Sequence, residues 1–212
     1  MSETMPHTRT QRHAVIAIDG PAGSGKSTVS RALAARLGID RLDTGAMYRA
    51  VAWAALDRSI DPGDRAAVAV LARTLSIAVG ERVEVDGGDV TESIRGPEVS
   101  AAVSAVAANP EVRSVLVERQ RQWVAERGGG VVEGRDIGSV VFPEATVKIY
   151  LTASTEERAR RRPEEGADAV ARRDRLDRTR TVSPLGVATG ARIIDTTARS
   201  VADIVDEVVT WL

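Results

Sequence analysis

The chain has 212 residues, 43% hydrophobic and 28% charged, enough for one globular domain with an insert. No apolar run approaches the ~18 residues that span a bilayer, so membrane insertion is not expected. Cysteine is absent, which excludes disulfides, thiol nucleophiles and zinc–thiolate sites and makes the cytoplasm the default location, while a net charge of −1 and 3% aromatic residues argue against a nucleic-acid partner.

In chain order, MSETMPHTRTQRH has no apolar stretch behind its charges, so residues 1–13 read as a flexible leader with neither signal peptide nor anchor. It holds both histidines, His7 and His13, so histidine bases and histidine metal sites are not expected in the folded body. From Ala14, AVIAI reads as a buried strand stopping at Asp19 and Gly20. A glycine-rich turn follows, then a helix over Ser27–Leu37 with Val29, Leu33 and Leu37 on one face and Gly38 as its stop. Further short strands are predicted at Arg41–Asp43, Val131–Glu133, Thr146–Leu151 and Arg192–Asp195. Residues 76–95 differ: Val83 and Val85 alternate with Arg82 and Glu84, and Asp86–Asp89 (DGGD) reads as a hairpin turn. Helices at about 62–75, 97–107 and 110–127 surround that hairpin, the second opened by Pro97 and the third ended by Gly128–Gly130. Ser154 and Glu157 form a capping-box pattern opening an arginine-rich helix. Val201, Ile204, Val205, Val208, Val209 and Leu212 then follow a helical period to the end of the chain. Strands alternating with helices predict an α/β fold with a parallel sheet covered on both faces. Residues 14–43 and 128–212 are expected to form its core, and 44–127 an insert built into the middle of it.

The strongest motif is GPAGSGKS, Gly20–Ser27, which satisfies GxxxxGK[ST] between a predicted strand and a predicted helix. Its glycines let backbone N–H groups wrap a phosphate, and the helix N-terminus adds its positive end. Lys26 then reaches the β and γ phosphates and Ser27 holds Mg²⁺. Such a loop serves GTPases, ATPase motors and kinases. The guanine-reading NKxD motif is missing, since Asn109 is the only asparagine and Pro110 follows it. The third strand ends in Glu133, Gly134, Arg135 and Asp136 rather than in adjacent acids, and an arginine there suggests a phosphate to be received.

These residues, with LDTGAMYR at 42–49, SIRGPEVS at 93–100, VEGRDIGSVVFP at 132–143, VKIYL at 147–151 and RDRLDRTR at 173–180 followed by VSPL, resemble the bacterial cytidylate kinases, P-loop nucleoside monophosphate kinases. The resemblance runs from about Ala14 to the C-terminus. It implies a P-loop kinase fold: a central five-stranded parallel sheet flanked by helices, a small antiparallel and helical NMP-binding insert, and a lid at about 158–176. It implies ATP as phosphoryl donor with Mg²⁺, CMP and dCMP as acceptors, a place in pyrimidine nucleotide metabolism, and a monomer. ATP would lie on Gly20, Pro21, Ala22, Gly23, Ser24, Gly25, Lys26, Ser27 and Thr28, with Arg158, Arg161 and Arg162 as lid arginines over its phosphates, Arg161 foremost. Arg49, Arg135 and Arg180 would clamp the acceptor phosphate, as guanidinium forks suit phosphate oxygens. Ser104, Arg113 and Asp136 would read the cytosine, and Thr44, Arg173 and Asp177 would meet the ribose side. Lys26, Arg135, Arg180 and Arg161 form the implied catalytic set. Several of these positions also have plain structural readings: Thr44 as the N-cap of the following helix, Ser104 as a neutral helix residue, Asp177 as an ion-pair partner of nearby arginines.

The missing histidine fits this chemistry. A phosphate monoester has its second pKa at about 6, so the acceptor oxygen is already anionic at neutral pH and needs no general base. A kinase of an alcohol would instead need Asp43 or Asp136 as base, and its cost is the surplus of phosphate-seeking arginines. A non-catalytic nucleotide-binding regulator would have no need of Arg49, Arg135 and Arg180 together. One departure from the family stands out: Pro163–Arg172 alone separate Arg162 from Arg173. Ten residues make at most ~15 Å of helix, too little for the two-helix lid of related kinases.

Overall fold

The computed structural model describes residues 14–163, 175–176 and 185–212. Strand β1 (Val15–Asp19) is buried on both faces, as an apolar run without alternation requires. It leads through the glycine-rich loop into α1 (Lys26–Leu37), then β2 (Arg41–Asp43) and α2 (Thr44–Asp57). Next come α3 (Arg65–Thr74), three short strands β3 (Ile77–Val79), β4 (Val83–Val85) and β5 (Gly88–Asp89), and a 3₁₀ turn at Ser93–Arg95. Helices α4 (Pro97–Ala108) and α5 (Pro110–Arg127) lead back to β6 (Gly130–Gly134) and β7 (Val147–Thr152). Helix α6 (Thr155–Arg160), β8 (Arg192–Asp195) and α7 (Val201–Val209) complete the described elements.

The main sheet is five-stranded and parallel, in the order β2-β6-β1-β7-β8. Its register sets Asp19 beside Gly134 and Asp43 beside Glu133, so the strands deliver the P-loop, the Glu133–Asp136 stretch and the start of α2 to one carboxyl edge. Side chains alternate along β1: Ile16 and Ile18 pack with Val29 and Leu33 of α1 and Ile204 and Val208 of α7, whereas Ala17 joins Leu42, Val132 and the alanines and valines of α2, α4 and α5. The two faces of the sheet therefore hold two cores.

The five strands and the flanking helices stand where the periodicity places them, with differences at the ends. Asp86 and Gly87, at φ of 50° and 82°, make a two-residue turn, and β5 begins inside DGGD at Gly88, forming an antiparallel β3-β4-β5 sheet. The capping box at α6 is half made. Ser154 Oγ accepts from Glu157 N at 3.2 Å, but the Glu157 carboxylate pairs with Arg160 and Arg161 and does not return to the cap. Helix α2 begins at Thr44, and its N-cap is Asp43, which accepts from Ala46 N at 3.1 Å, so Thr44 is not the cap. A π-turn over Ile137–Val141, for which the sequence carries no distinct period, follows β6 directly. Arg173, Asp177, Arg180 and most of the expected lid lie outside the described residues.

Candidate active site

The P-loop has an unusual backbone because its residues are packed from behind. A Cβ at Gly20 (φ 151°) would stand 2.1 Å from Leu151 O, and one at Gly23 (φ 75°) 2.8 Å from Arg158 O, so only glycine fits either place. Four successive carbonyls of the loop accept from side chains. Pro21 O takes Lys26 Nζ at 2.7 Å, Ala22 O takes Arg158 Nη1 at 3.2 Å, Gly23 O takes Arg161 Nη1 at 3.3 Å, and Ser24 O takes Thr196 Oγ1 at 3.1 Å. With its acceptors so occupied, the loop offers its N–H groups, the donors an anion needs.

Across from the loop lies one cleft, lined from both sides. Ala22, Lys26, Ser27 and Arg162 face it from the P-loop side. Thr44, Arg49, Ser104, Arg113, Arg135 and Asp136 face it from the acceptor side. Arg113 and Asp136 are 3% and 5% exposed and form a buried ion pair, with the Arg113 guanidinium also 5.5 Å from the Tyr48 ring. That pair offers a carboxylate acceptor beside guanidinium donors in a desolvated place, where mispairing is costly. Arg49 donates to Ile94 O at 3.3 Å and to Ser100 Oγ at 3.0 Å, which ties α2 to the 3₁₀ turn and to α4. Thr44 donates to Glu133 O at 2.7 Å, binding the start of α2 to the end of β6. The Ser104 hydroxyl has no partner among the described residues.

Glu133 is the acid that the sequence reading passed over. Its Oε2 accepts from Ser27 Oγ at 2.9 Å, and its Oε1 from Ser30 Oγ at 3.0 Å and Arg41 Nη1 at 2.5 Å. Burial raises the carboxyl above its ordinary pKa and the nearby Asp43 carboxylate adds to that, against the pull of Lys26, Arg41 and the Ser27 hydroxyl. Because the Ser27 hydroxyl donates its hydrogen bond to Glu133, its oxygen keeps lone pairs for a cation, and one hydroxyl with one carboxylate is the sparse oxygen set that suits Mg²⁺. The donors present therefore fit the ion.

The three arginines expected over ATP divide. Arg162 lines the cleft. Arg158 is buried beneath the loop. Arg161 donates to Glu157, Gly23 O, and both the hydroxyl and carbonyl of Thr196, leaving four of its donor contacts spent on protein. In this structure Arg161, put foremost from sequence, braces the loop, while Arg162 lines the cleft. Consecutive residues near a helix end point about 100° apart, so only packing against Thr196 separates them. Sequence reasoning also missed Tyr48 and Arg95, which line the cleft; the Arg95 side chain makes no hydrogen bond or ion pair with a described residue. Both lie inside quoted motifs, LDTGAMYR and SIRGPEVS, which was the available signal.

A P-loop at the end of the central strand of a parallel sheet, facing a second set of phosphate-seeking arginines, defines a P-loop kinase. The chain belongs to the cytidylate kinase family, whose model matches residues 16–212. It is 49% identical over 209 residues to the cytidylate kinase of Mycolicibacterium paratuberculosis, taking in 91% of this chain and 92% of that protein. It is 50% identical over 204 residues to that of Mycobacterium leprae (90% and 92%) and 50% over 212 residues to that of Pelotomaculum thermopropionicum (92% and 93%). Among solved structures, a gluconokinase from Sinorhizobium meliloti has a TM-score of 0.51 at 14% identity, covering 94% of this chain and 91% of its own. A shikimate kinase from Acinetobacter baumannii has a TM-score of 0.50 at 15% identity, covering 97% and 96%. These two share the fold alone.

Proposed function

We propose that the chain transfers the γ-phosphoryl group of ATP to CMP and dCMP, giving ADP with CDP or dCDP, in pyrimidine nucleotide metabolism. Beyond family membership, the observation that carries this reading is the single cleft in which Lys26 and Ser27 face Arg49, Arg135 and the buried Arg113–Asp136 pair. ATP binds along Gly20–Thr28, with Lys26 at its β and γ phosphates and Arg162 approaching from just beyond the end of α6. Arg49 and Arg135 hold the acceptor phosphate, Asp136 accepts from the cytosine amino group, and Arg113 and Ser104 donate to the ring acceptors. Thr44 meets the ribose side, and Arg180, Arg173 and Asp177 complete the acceptor contacts. Arg158 and Arg161 act through the loop they brace.

In this reading the chain's work is positioning and charge neutralisation. The acceptor phosphate arrives anionic, so no side chain removes a proton from it. Lys26, Arg49 and Arg135 offset the repulsion between two anions, and in-line approach is set by the rigid sheet edge from which both sets of residues project. Ser27, backed by Glu133, would hold the Mg²⁺ that accompanies ATP, and the ion would supply charge neutralisation at the phosphates. The protein is proposed to act as a cytoplasmic monomer; among the described residues no helix is long and apolar enough to cross a membrane.

A coupled ADP-release assay across CMP, dCMP, UMP, AMP and GMP tests the assignment. CMP and dCMP should turn over well and UMP poorly, because uracil sets a carbonyl against Asp136 where cytosine sets a donor. A site built to pair a polar edge rejects its mismatch by on the order of 10² or more. UMP turning over as fast as CMP would remove the base-reading role of Asp136.

A further inference from the structure

Asp19 closes β1 one residue before the P-loop, and nothing in the transfer described above employs it. It is 3% exposed, and both carboxylate oxygens are engaged across the sheet edge: Oδ1 accepts from Ile137 N and Oδ2 from Gly138 N, each at 2.7 Å. Those amides open the π-turn directly after Arg135 and Asp136. On the other side of that pair, Gly134 is fixed beside Asp19 in the β1–β6 ladder. Arg135 and Asp136 thus form a two-residue span held at both ends by one residue, through its backbone register at one end and its carboxylate at the other. The span itself lacks regular support. Asp136 sits at φ −146°, ψ 26°, outside strand and helix geometry, and its carbonyl is taken by Val140 N at 2.9 Å.

Keeping a carboxylate here is unfavourable for the fold. Burial raises its pKa to about 6 even though the Gly138 and Ile137 amides pull it down; the Asp136 carboxylate raises it further and the Lys26 ammonium lowers it. A carboxylate so perturbed by burial and by named charged neighbours is a candidate for a functional role. Two parallel N–H donors also ask for two acceptor atoms, which an ionised carboxylate has and an amide lacks.

We propose that Asp19 is a positioning residue for the acceptor nucleotide: by clamping Ile137 N and Gly138 N it aims Arg135 and Asp136 at the acceptor, in register with the P-loop that follows it. The inference rests on the acceptor roles proposed above for Arg135 and Asp136. The carbonyls that shape the P-loop are held by Lys26, Arg158, Arg161 and Thr196 and not by Asp19, so donor binding is independent of the clamp.

Asp19→Asn puts an NH₂ donor against one of the two N–H donors and displaces the span. A misplacement on the order of 1 Å costs ~10²-fold. Steady-state kinetics of the full chain should therefore show the KM for CMP raised ~10-fold or more, and kcat/KM for CMP lowered at least as far, with the KM for ATP within about twofold of wild type. An unchanged KM for CMP, or a loss confined to ATP, overturns the inference while leaving the kinase reading intact provided wild type phosphorylates CMP. Wild type failing to use CMP overturns both. If Asp19→Asn does not fold, Asp19→Ser, which keeps one small acceptor, is measured in the same way, and failure of both to fold makes the role structural and ends the proposal.

Discussion

Arg135 stands one residue beyond the end of β6, half-buried and lining the cleft, so its replacement removes charge from the site without opening the core. Arg135→Ala is expected to lower turnover by ~10² to 10³, the usual cost of losing one contact to transition-state charge. Its melting temperature should move by only a few degrees, and loss of folding with undiminished turnover per folded molecule would mark the residue as structural. Asp19 gives the opposite balance, since its stability effect depends on pH. With a folded pKa of about 6 against an ordinary 3.8, the folded state holds a proton that the unfolded state releases between those values. The group's contribution to stability is therefore fully present below about pH 4 and is lost as pH rises through 6. A shift of that size corresponds to roughly 3 kcal/mol. Relative to wild type, Asp19→Asn should gain about that much stability between pH 4 and pH 7, measured by urea unfolding at each pH. A constant difference across the range would show that Asp19 is not perturbed by burial.

At the scale of elements, helix ends explain how the insert holds its shape. Asn109 is 3% exposed, between α4 and α5; its Oδ1 caps α5 by accepting from Glu111 N at 3.1 Å, and its Nδ2 donates to Arg65 O at 2.8 Å on α3. One residue thus joins three helices, α3 and α5 through its side chain and α4 through its backbone, and two of them carry Ser104 and Arg113. Asn109→Ala should cost about 2 to 3 kcal/mol, from a lost cap and a carbonyl left without its partner. Asn109→Ser, which keeps a capping oxygen and loses the link, should cost less; equal losses in denaturant melts would mean that the cap contributes nothing. Pro97 and Pro110 at first-turn positions and Gly38 and Gly128 as left-handed C-caps are legible because their meaning is carried by φ alone. Thr44 and Glu157 were less legible. For Thr44 a distant partner won over the local one, Glu133 O; for Glu157 two local partners compete with the cap, and Arg160 and Arg161 on the following turn took the carboxylate.

For the molecule as a whole, the groups proposed to face Mg²⁺ come from separate layers, Ser27 from the start of α1 and Glu133 from β6, joined by the 2.9 Å hydrogen bond between them. One hydroxyl and one carboxylate, the latter already tied to Ser27, Ser30 and Arg41, do not make a cage. Calorimetry should accordingly detect no tight Mg²⁺ binding to the free protein and clear Mg²⁺ dependence of ATP binding. Tight uptake of Mg²⁺ in the absence of nucleotide would contradict the assignment of Ser27 and Glu133.

What the sequence by itself determined is the chemistry whose parts are contiguous. GPAGSGKS specifies a phosphate cradle because neighbouring backbone amides do the binding, and AVIAI, DGGD and the proline and glycine stops specify elements because their dihedral and burial demands are local. Tertiary structure alone decided which side chains share a space. Parallel register brings Glu133 to Ser27 and Asp19 to Ile137 and Gly138 across more than a hundred residues of chain. The phase of α6 against Thr196 turns Arg161 beneath the loop while Arg162 reaches the cleft. Nothing in a strand-end carboxylate or in a row of arginines encodes its partner. That choice is made only when the sheet closes and each buried polar group must find a hydrogen bond in place of water.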